Sequence, residues 1–466
     1  MRDCNADFIN EDRINDILGR NQTITEEEFQ NIIKKAEAAK GLTMDETAKL
    51  LNLKDKTMQK ILFETASRVK EKIYGKRIVL FAPLYVSNYC VNTCTYCGYH
   101  MNSGIARKKL TMEELGQEVV AMEKMGHKRI ALESGEDPVN CDIDYIVECI
   151  NKIYSIKFEN GAIRRINVNI ASTTVEEYKK LKAADIGTYI LFQETYHRET
   201  YSKYHLKGPK HSFDWHTTAF DRAMQAGIDD VGSGILFGLY DHKYEVIALM
   251  MHAEHLEEKF GVGPHTVSVP RIKPAADVHL KDFPYMLTDE DFKRLIAILR
   301  LALPYTGIIL STRENPVLRD EIIKYGVSQI SAGSCTGVGG YCAQEHGTTE
   351  NTKQFEVEDH RSPDEILRNL CKSGYLPSFC TACYRSGRTG DRFMVLAKSG
   401  NIQNVCQPNA LMTFQEYLMD YASEETRAVG EKTIAEHLEL IENKEVRELT
   451  RKRLKDIKNG VRDLYL

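Results

Sequence analysis

From residue 79 to residue 332 the chain repeats one pattern. Short runs rich in β-branched, aliphatic and aromatic residues alternate with longer stretches whose apolar positions recur every three or four residues. The short runs predict strands over 79–86, 128–132, 164–170, 187–192, 230–236, 266–270, 306–311 and 328–332. The longer ones predict helices over 111–126, 142–157, 174–184, 213–226, 243–259, 288–302 and 316–324. Thr111 followed by Glu114 has capping-box spacing and marks one helix start. Eight strand–helix units over about 255 residues match a TIM-type (β/α)8 barrel in number and length. A doubly wound sheet is the alternative.

The flanks differ. Residues 1–75 read as a polar helical extension, with Thr25 and Glu28 forming a second capping box. Residues 76–340 hold the barrel, and 341–466 form a C-terminal domain. Within the latter, 347–362 reads as an exposed link, 363–373 as a helix and 411–466 as charged helices. Sixty-two basic against sixty-seven acidic residues leave a net charge of −5, so nothing favours nucleic acid or an anionic membrane as partner. No apolar run approaches 18 residues. The start, MRDCNADFINEDR, is charged where a secretory signal needs an apolar stretch. The expectation is a cytoplasmic protein.

Cysteine changes the picture. There are twelve, and in a reducing compartment clustered cysteines point to metal or redox chemistry. Cys90, Cys94 and Cys97 follow the first strand as C-x3-C-x2-C, which on a barrel is the C-terminal, active face. Three close thiolates can hold three irons of a [4Fe–4S] cubane and leave the fourth open; a zinc knuckle is the alternative. Cys380, Cys383 and Cys406 form a second triad, C-x2-C-x22-C, with Gly387, Gly390 and Gly400 between them, consistent with a hairpin returning Cys406 to the pair. A zinc site completed by a histidine is the alternative here. Cys4, Cys141, Cys149, Cys335, Cys342 and Cys371 read as small apolar fillers.

The first triad, with Tyr96 just before its last cysteine, resembles the radical S-adenosylmethionine (SAM) superfamily. That resemblance implies a SAM-binding [4Fe–4S] cluster on Cys90, Cys94 and Cys97, with Tyr96 beside the cofactor. It makes Glu133-Ser134-Gly135-Glu136, after the second strand, the counterpart of the family's Gly-Gly-Glu turn, with Gly135 and Glu136 engaging the methionine amino group. Ser134 departs from the pattern. In FQETYHRETY, Glu194 would accept from a ribose hydroxyl and Arg198 would pair with the SAM carboxylate; a rim ion pair is the bland reading of both.

With the second triad, GPHTVSVPR, STREN and SAGS, the whole chain resembles the HydG family of tyrosine lyases that mature [FeFe]-hydrogenase. A second [4Fe–4S] cluster carrying an additional iron is thereby implied, with His265 binding that iron and a free cysteine completing it. His265 precedes the sixth strand and so lies at the opposite barrel end from the first triad. Arg313, after strand seven, is the candidate for the substrate carboxylate, with Ser331 and Ser334 adding contacts. The implied reaction is Cα–Cβ cleavage of L-tyrosine to p-cresol and dehydroglycine. Dehydroglycine then passes through the barrel to become carbon monoxide and cyanide in an Fe(CO)2(CN) unit. An external low-potential electron donor and other hydrogenase maturation proteins are the expected partners. The alternatives are a ThiH-like 2-iminoacetate synthase and a non-catalytic iron–sulfur scaffold.

Overall fold

The computed structural model describes residues 4–347, 352–398 and 402–466. Four helices lead in: α1 (Glu11–Arg20), α2 (Glu26–Glu37), α3 (Met44–Leu51) and α4 (Lys56–Tyr74). The Thr25–Glu28 box forms as expected, each partner satisfying the other's backbone N–H.

All eight expected strands form: β1 (Arg77–Ser87), β2 (Arg129–Ser134), β3 (Arg165–Asn169), β4 (Tyr189–Glu194), β5 (Val231–Ile235), β6 (Thr266–Ser268), β7 (Gly307–Leu310) and β8 (Gln329–Ser331). They are parallel and in sequence order, and β1 pairs with both β8 and β2, closing the barrel. The helices between them are α5 (Met112–Lys124), α6 (Ile143–Ser155), α7 (Val175–Ala183), α8 (Arg198–Tyr204), α9 (Phe213–Thr217), α10 (Ala219–Gln225), α11 (His242–Phe260), α12 (Asp289–Ala302) and α13 (Pro316–Ile322). The helix expected over 213–226 is divided at Thr218, whose hydroxyl donates to the Asp214 carbonyl (2.6 Å) and competes with the helical ladder.

After the barrel come α14 (Gly340–Glu345), α15 (Pro363–Lys372), β9 (Leu376–Ser378), α16 (Gly390–Lys398), α17 (Gln403–Asp420), α18 (Glu424–Glu439) and α19 (Lys444–Lys458). The ninth strand has no periodic signature in the sequence. It pairs in parallel with the first three residues of β1, whereas β2 joins β1 only from Ala82 onward. The length of β1 makes this possible: its lower part takes β9 and its upper part β2.

Two expectations are corrected. Cys406 returns to its partners within the first turn of α17, not on a hairpin; Gly387 turns the chain at φ +61°, but helix α16 follows. Gly400 lies outside the described residues. The stretch 347–362 is not an exposed link over its described part. Thr352 and Asp359 are buried, Asp359 is ion-paired with Arg319 and Arg361, and Gly98 N donates to the Gln354 carbonyl (3.1 Å). Among the described residues, no helix is long and apolar enough to cross a membrane.

Candidate active site and second cysteine centre

A cavity of about 210 Å³ opens at the C-terminal ends of the strands. Cys90, Cys94, Cys97, Tyr96, Gly135, Glu136, Glu194, Arg313, Ser331 and Ser334 all line it. The loop after β1 supplies the thiols, and amide donors face two of them. Asn92 Nδ2 lies 3.8 Å from Cys90 Sγ, and Tyr99 N and Gln354 Nε2 lie 3.4 and 3.7 Å from Cys97 Sγ. Burial, then the neighbouring Cys90, pushes the free Cys97 thiol up to about 11. Burial raises Cys94 as well, while the Lys210 ammonium opposes it. Thiolates held here need a cationic partner, and N–H groups aimed at sulfur suit metal-bound thiolate. Among the described residues, no three His, Cys, Asp or Glu groups close around a single ion. The donor set and cavity fit a multi-iron cluster with room beside it.

Gly135 is required by close approach: a Cβ there would stand 2.3 Å from the Tyr89 carbonyl oxygen. Next to it, Glu136 is raised chiefly by burial and accepts from Asn92 Nδ2 (2.6 Å). Tyr96 donates its hydroxyl to His205 Nε2 (2.6 Å), because His205 Nδ1 is committed to the Tyr201 carbonyl (2.7 Å). Glu194 ends β4 at φ +70° and pairs with Lys210 (2.7 Å). Arg198 stands elsewhere. It is not among the cavity-lining residues; it pairs with Asp214 (2.9 Å) and lies over the Phe213 ring. Lys210, like Arg313, is a cation at the cavity wall.

The Arg313 guanidinium faces the cavity from the loop after β7 and stacks 3.4 Å from the Phe355 ring centroid; among the described residues, no carboxylate is in ion-pair range. Burial lowers its pKa. A half-buried guanidinium without an anion is a carboxylate receptor in waiting. Ser331 accepts from Thr312 N (3.0 Å), whereas the buried Ser334 hydroxyl has no protein partner.

Sequence reasoning missed several cavity residues. Glu133, inward-facing on β2, accepts from Asn169 Nδ2 (2.6 Å), and burial pushes it up to about 8. Tyr85 donates to Gln354 Oε1 (2.9 Å). Glu133 and Tyr85 carried a signal, since both fall on the inward alternation of their strands. Gln354 and Phe355 carried none.

A second cavity, about 60 Å³, lies at the N-terminal ends of the strands. Cys380, Cys383, Cys406 and His265 line it together with Arg77, Ser328 and Gln329. Cys380 follows β9 at φ +48°, a conformation that costs a non-glycine residue energy and recurs at functional loops. The neighbouring Cys406, with Arg388 alongside, pulls Cys383 down, while Cys383 and burial hold Cys406 up. Arg129 and Arg165 near Cys380, and Arg77 near Cys406, add positive charge. Four arginines thus converge on the three thiols. His265 packs against Phe393 with ring centroids 4.3 Å apart, and burial lowers its pKa, leaving a neutral imidazole able to ligate. Its Nδ1 faces Asp230 Oδ1 at 4.0 Å, the type of carboxylate that orients metal-binding histidines. This donor set also fits a thiolate-held cluster with an adjoining metal.

No lining residue is common to the two cavities. A buried polar layer stands between them, where Arg129 donates to Gln329 (2.9 Å) and Arg165 to Thr188 (2.9 Å) and Asp230 (3.0 Å). Among the described residues, Arg129 Nε, Asp230 Oδ1 and Thr266 Oγ1 in this layer have no hydrogen-bond partner. Barrel cores are ordinarily packed with branched apolar side chains.

Comparison with known proteins agrees with this architecture. The Radical SAM superfamily profile matches residues 84–252, and the Biotin and Thiamin Synthesis associated domain matches 268–376. The chain is 32% identical to 2-iminoacetate synthase of Escherichia coli (strain K12), over 74% of this chain and 89% of that protein. It is similar to a crystal structure of HydG, a maturase of the [FeFe]-hydrogenase, at 60% identity and a TM-score of 0.96, covering 99% of this chain and 100% of that one. It is also similar to HydG from Carboxydothermus hydrogenoformans, at 42% identity and a TM-score of 0.81, covering 96% and 99%. The chain belongs to the HydG family of [FeFe]-hydrogenase maturases, within the radical SAM superfamily.

Proposed function

We propose that the protein cleaves the Cα–Cβ bond of L-tyrosine at the upper cavity and converts the dehydroglycine product to carbon monoxide and cyanide at the lower one. The observation that carries this reading is the placement of two thiol triads at opposite ends of one barrel, each lining its own cavity. Cys90, Cys94 and Cys97 would hold the SAM-binding [4Fe–4S] cluster. Bound there, cluster and SAM supply one-electron chemistry that yields the 5′-deoxyadenosyl radical. Cys380, Cys383 and Cys406 would hold the second cluster, with His265 toward its additional iron and room for a free cysteine.

The chain's own residues bind and orient. Gly135 lets the turn after β2 approach the cluster loop, and Glu136 offers an acceptor to the SAM ammonium. Glu194 offers one to a ribose hydroxyl. The side chain that meets the SAM carboxylate is assigned to Lys210 in preference to Arg198, since Lys210 lines the cavity, where it also pairs with Glu194, and Arg198 does not. Arg313 takes the tyrosine carboxylate, and the Ser334 hydroxyl is free to hydrogen-bond substrate. Glu133, protonated below pH about 8, can give a proton to the substrate amine, and its carboxylate form above that pH can take one. An enclosed site protects radical and imine from solvent. The polar layer offers unpartnered donors and acceptors to a small polar product moving toward the second triad.

The test is product analysis of a Cys380→Ala/Cys383→Ala variant. We expect p-cresol to persist and carbon monoxide to disappear. Undiminished carbon monoxide would refute the assignment of the lower site. p-Cresol without cyanide or carbon monoxide from the wild type would leave a 2-iminoacetate synthase, the activity named for the Escherichia coli relative.

A further inference from the structure

The upper triad is covered on its outer side by a single layer of chain. Cys94 pairs with His205 in an antiparallel bridge. Thr95 N donates to the Tyr204 carbonyl (3.1 Å) and Thr93 N to that of Lys207 (3.2 Å), while Lys207 N donates to the Thr93 hydroxyl (2.8 Å). Lys210 N donates to Asn92 Oδ1 (3.0 Å). Residues 204–210 are therefore fastened by backbone bonds directly over the cluster loop. Electron tunnelling falls off exponentially with distance, so a donor protein gains by seating itself on this layer.

The layer is mostly basic. Segments 88–110 and 200–213 contain no Asp or Glu and carry Arg107, Lys108, Lys109, Lys203 and Lys207, while Lys210 turns inward to Glu194 and exposed Glu199 stands one turn before Lys203. Lys203 and Lys207 are exposed, and between them Leu206 is 54% exposed. Met101 is 51% exposed and bonded to the same Asn92 through its backbone N–H. An apolar centre with a cationic rim has the anatomy of a transient protein-docking patch, and its charge selects an acidic partner. The chain's overall charge is −5, so the attraction is local to this face.

We propose that the exposed face of residues 203–207, with Lys203 and Lys207 flanking Leu206, is the docking site of an acidic protein electron carrier. The carrier gives up one electron, and the cluster held by Cys90, Cys94 and Cys97 is reduced by one. This inference rests on the radical SAM reading of the upper cavity.

The probe is a two-[4Fe–4S] ferredoxin of acidic net charge, tested with wild type, Lys203→Glu/Lys207→Glu and Leu206→Ala. Calorimetry with oxidised ferredoxin at low salt should show about tenfold or greater weakening in the double variant, with the wild-type affinity falling as salt is added. Leu206→Ala should weaken binding without changing its salt dependence. Ferredoxin-driven 5′-deoxyadenosine formation should slow in parallel, while formation driven by dithionite stays at the wild-type rate. Unchanged ferredoxin affinity in the charge-reversed variant would overturn the docking site. Absence of dithionite-driven SAM cleavage in the wild type would instead overturn the reading of the cavity itself.

Discussion

The two ends of the barrel hold their thiols in different ways. The upper triad comes from one eight-residue stretch, Cys90–Cys97, in the loop after β1. The lower triad is assembled from the turn after β9 and the start of α17, and His265 joins it from just before β6. Their electrostatics differ as well. The upper cavity mixes Glu133, Glu136 and Glu194 with Lys210 and Arg313, whereas four arginines surround the lower thiols. The upper site is built to receive zwitterionic ligands with both signs of charge. The positive charge around the lower triad favours anions, thiolate among them. Local charge also tunes the reduction potential of an iron–sulfur cluster, so the two ends present different redox environments.

That contrast can be broken at its strongest point, the guanidinium proposed to receive the substrate carboxylate. Arg313→Lys keeps the charge but loses the planar fork and the stacking on Phe355. We expect KM for tyrosine to rise about 10- to 100-fold, with the ratio of carbon monoxide to p-cresol unchanged. A changed ratio would mean that Arg313 also serves the lower site.

A second expectation concerns Glu133. Its surroundings are Asn169 from β3, Arg313 from the loop after β7, and Tyr85 and Tyr99 near β1. Burial places it at about 8 in the folded protein against an ordinary value of 4.5. Between those values the unfolded chain releases this proton and the folded chain retains it, so stability declines as pH rises through that window. Glu133→Gln should reduce the decline measured by denaturation. A protonated-carboxyl infrared band, lost as pH rises through about 8, should be absent from the variant. An unaltered band would place the proton elsewhere. The smallest effect belongs to a control outside both sites: Thr25→Ala removes the cap of α2, at a cost of about 1 kcal/mol in denaturant titration, with iron content unchanged at both ends.

Much of this was legible in the chain. The eight strand–helix periods point to the barrel over a doubly wound sheet, and the C-x3-C-x2-C run gathers three thiols after β1. Three features escaped. The strand β9 is three residues long and exists only because β1 is long enough to pair with it. Gln354 and Phe355 reach the upper cavity through long-range packing that leaves no local pattern. Arg198 was read as a SAM ligand because of its position after β4, but Asp214 and Phe213 on α9 draw it away, a competition no single motif reveals. Arg129 and Arg165 start β2 and β3, and nothing in the local pattern gives them a role. Such charges persist inside a barrel only with partners, and here the partners are Gln329, Asp230 and the lower thiols.

The most direct measurement is iron and acid-labile sulfide content, with electron paramagnetic resonance, on the wild type and on the two variants Cys90→Ala/Cys94→Ala/Cys97→Ala and Cys380→Ala/Cys383→Ala/Cys406→Ala. The account expects two distinct cluster signals in the wild type, with each variant losing one and keeping the other. Zinc at the lower triad, or the loss of both signals from either variant, would contradict it.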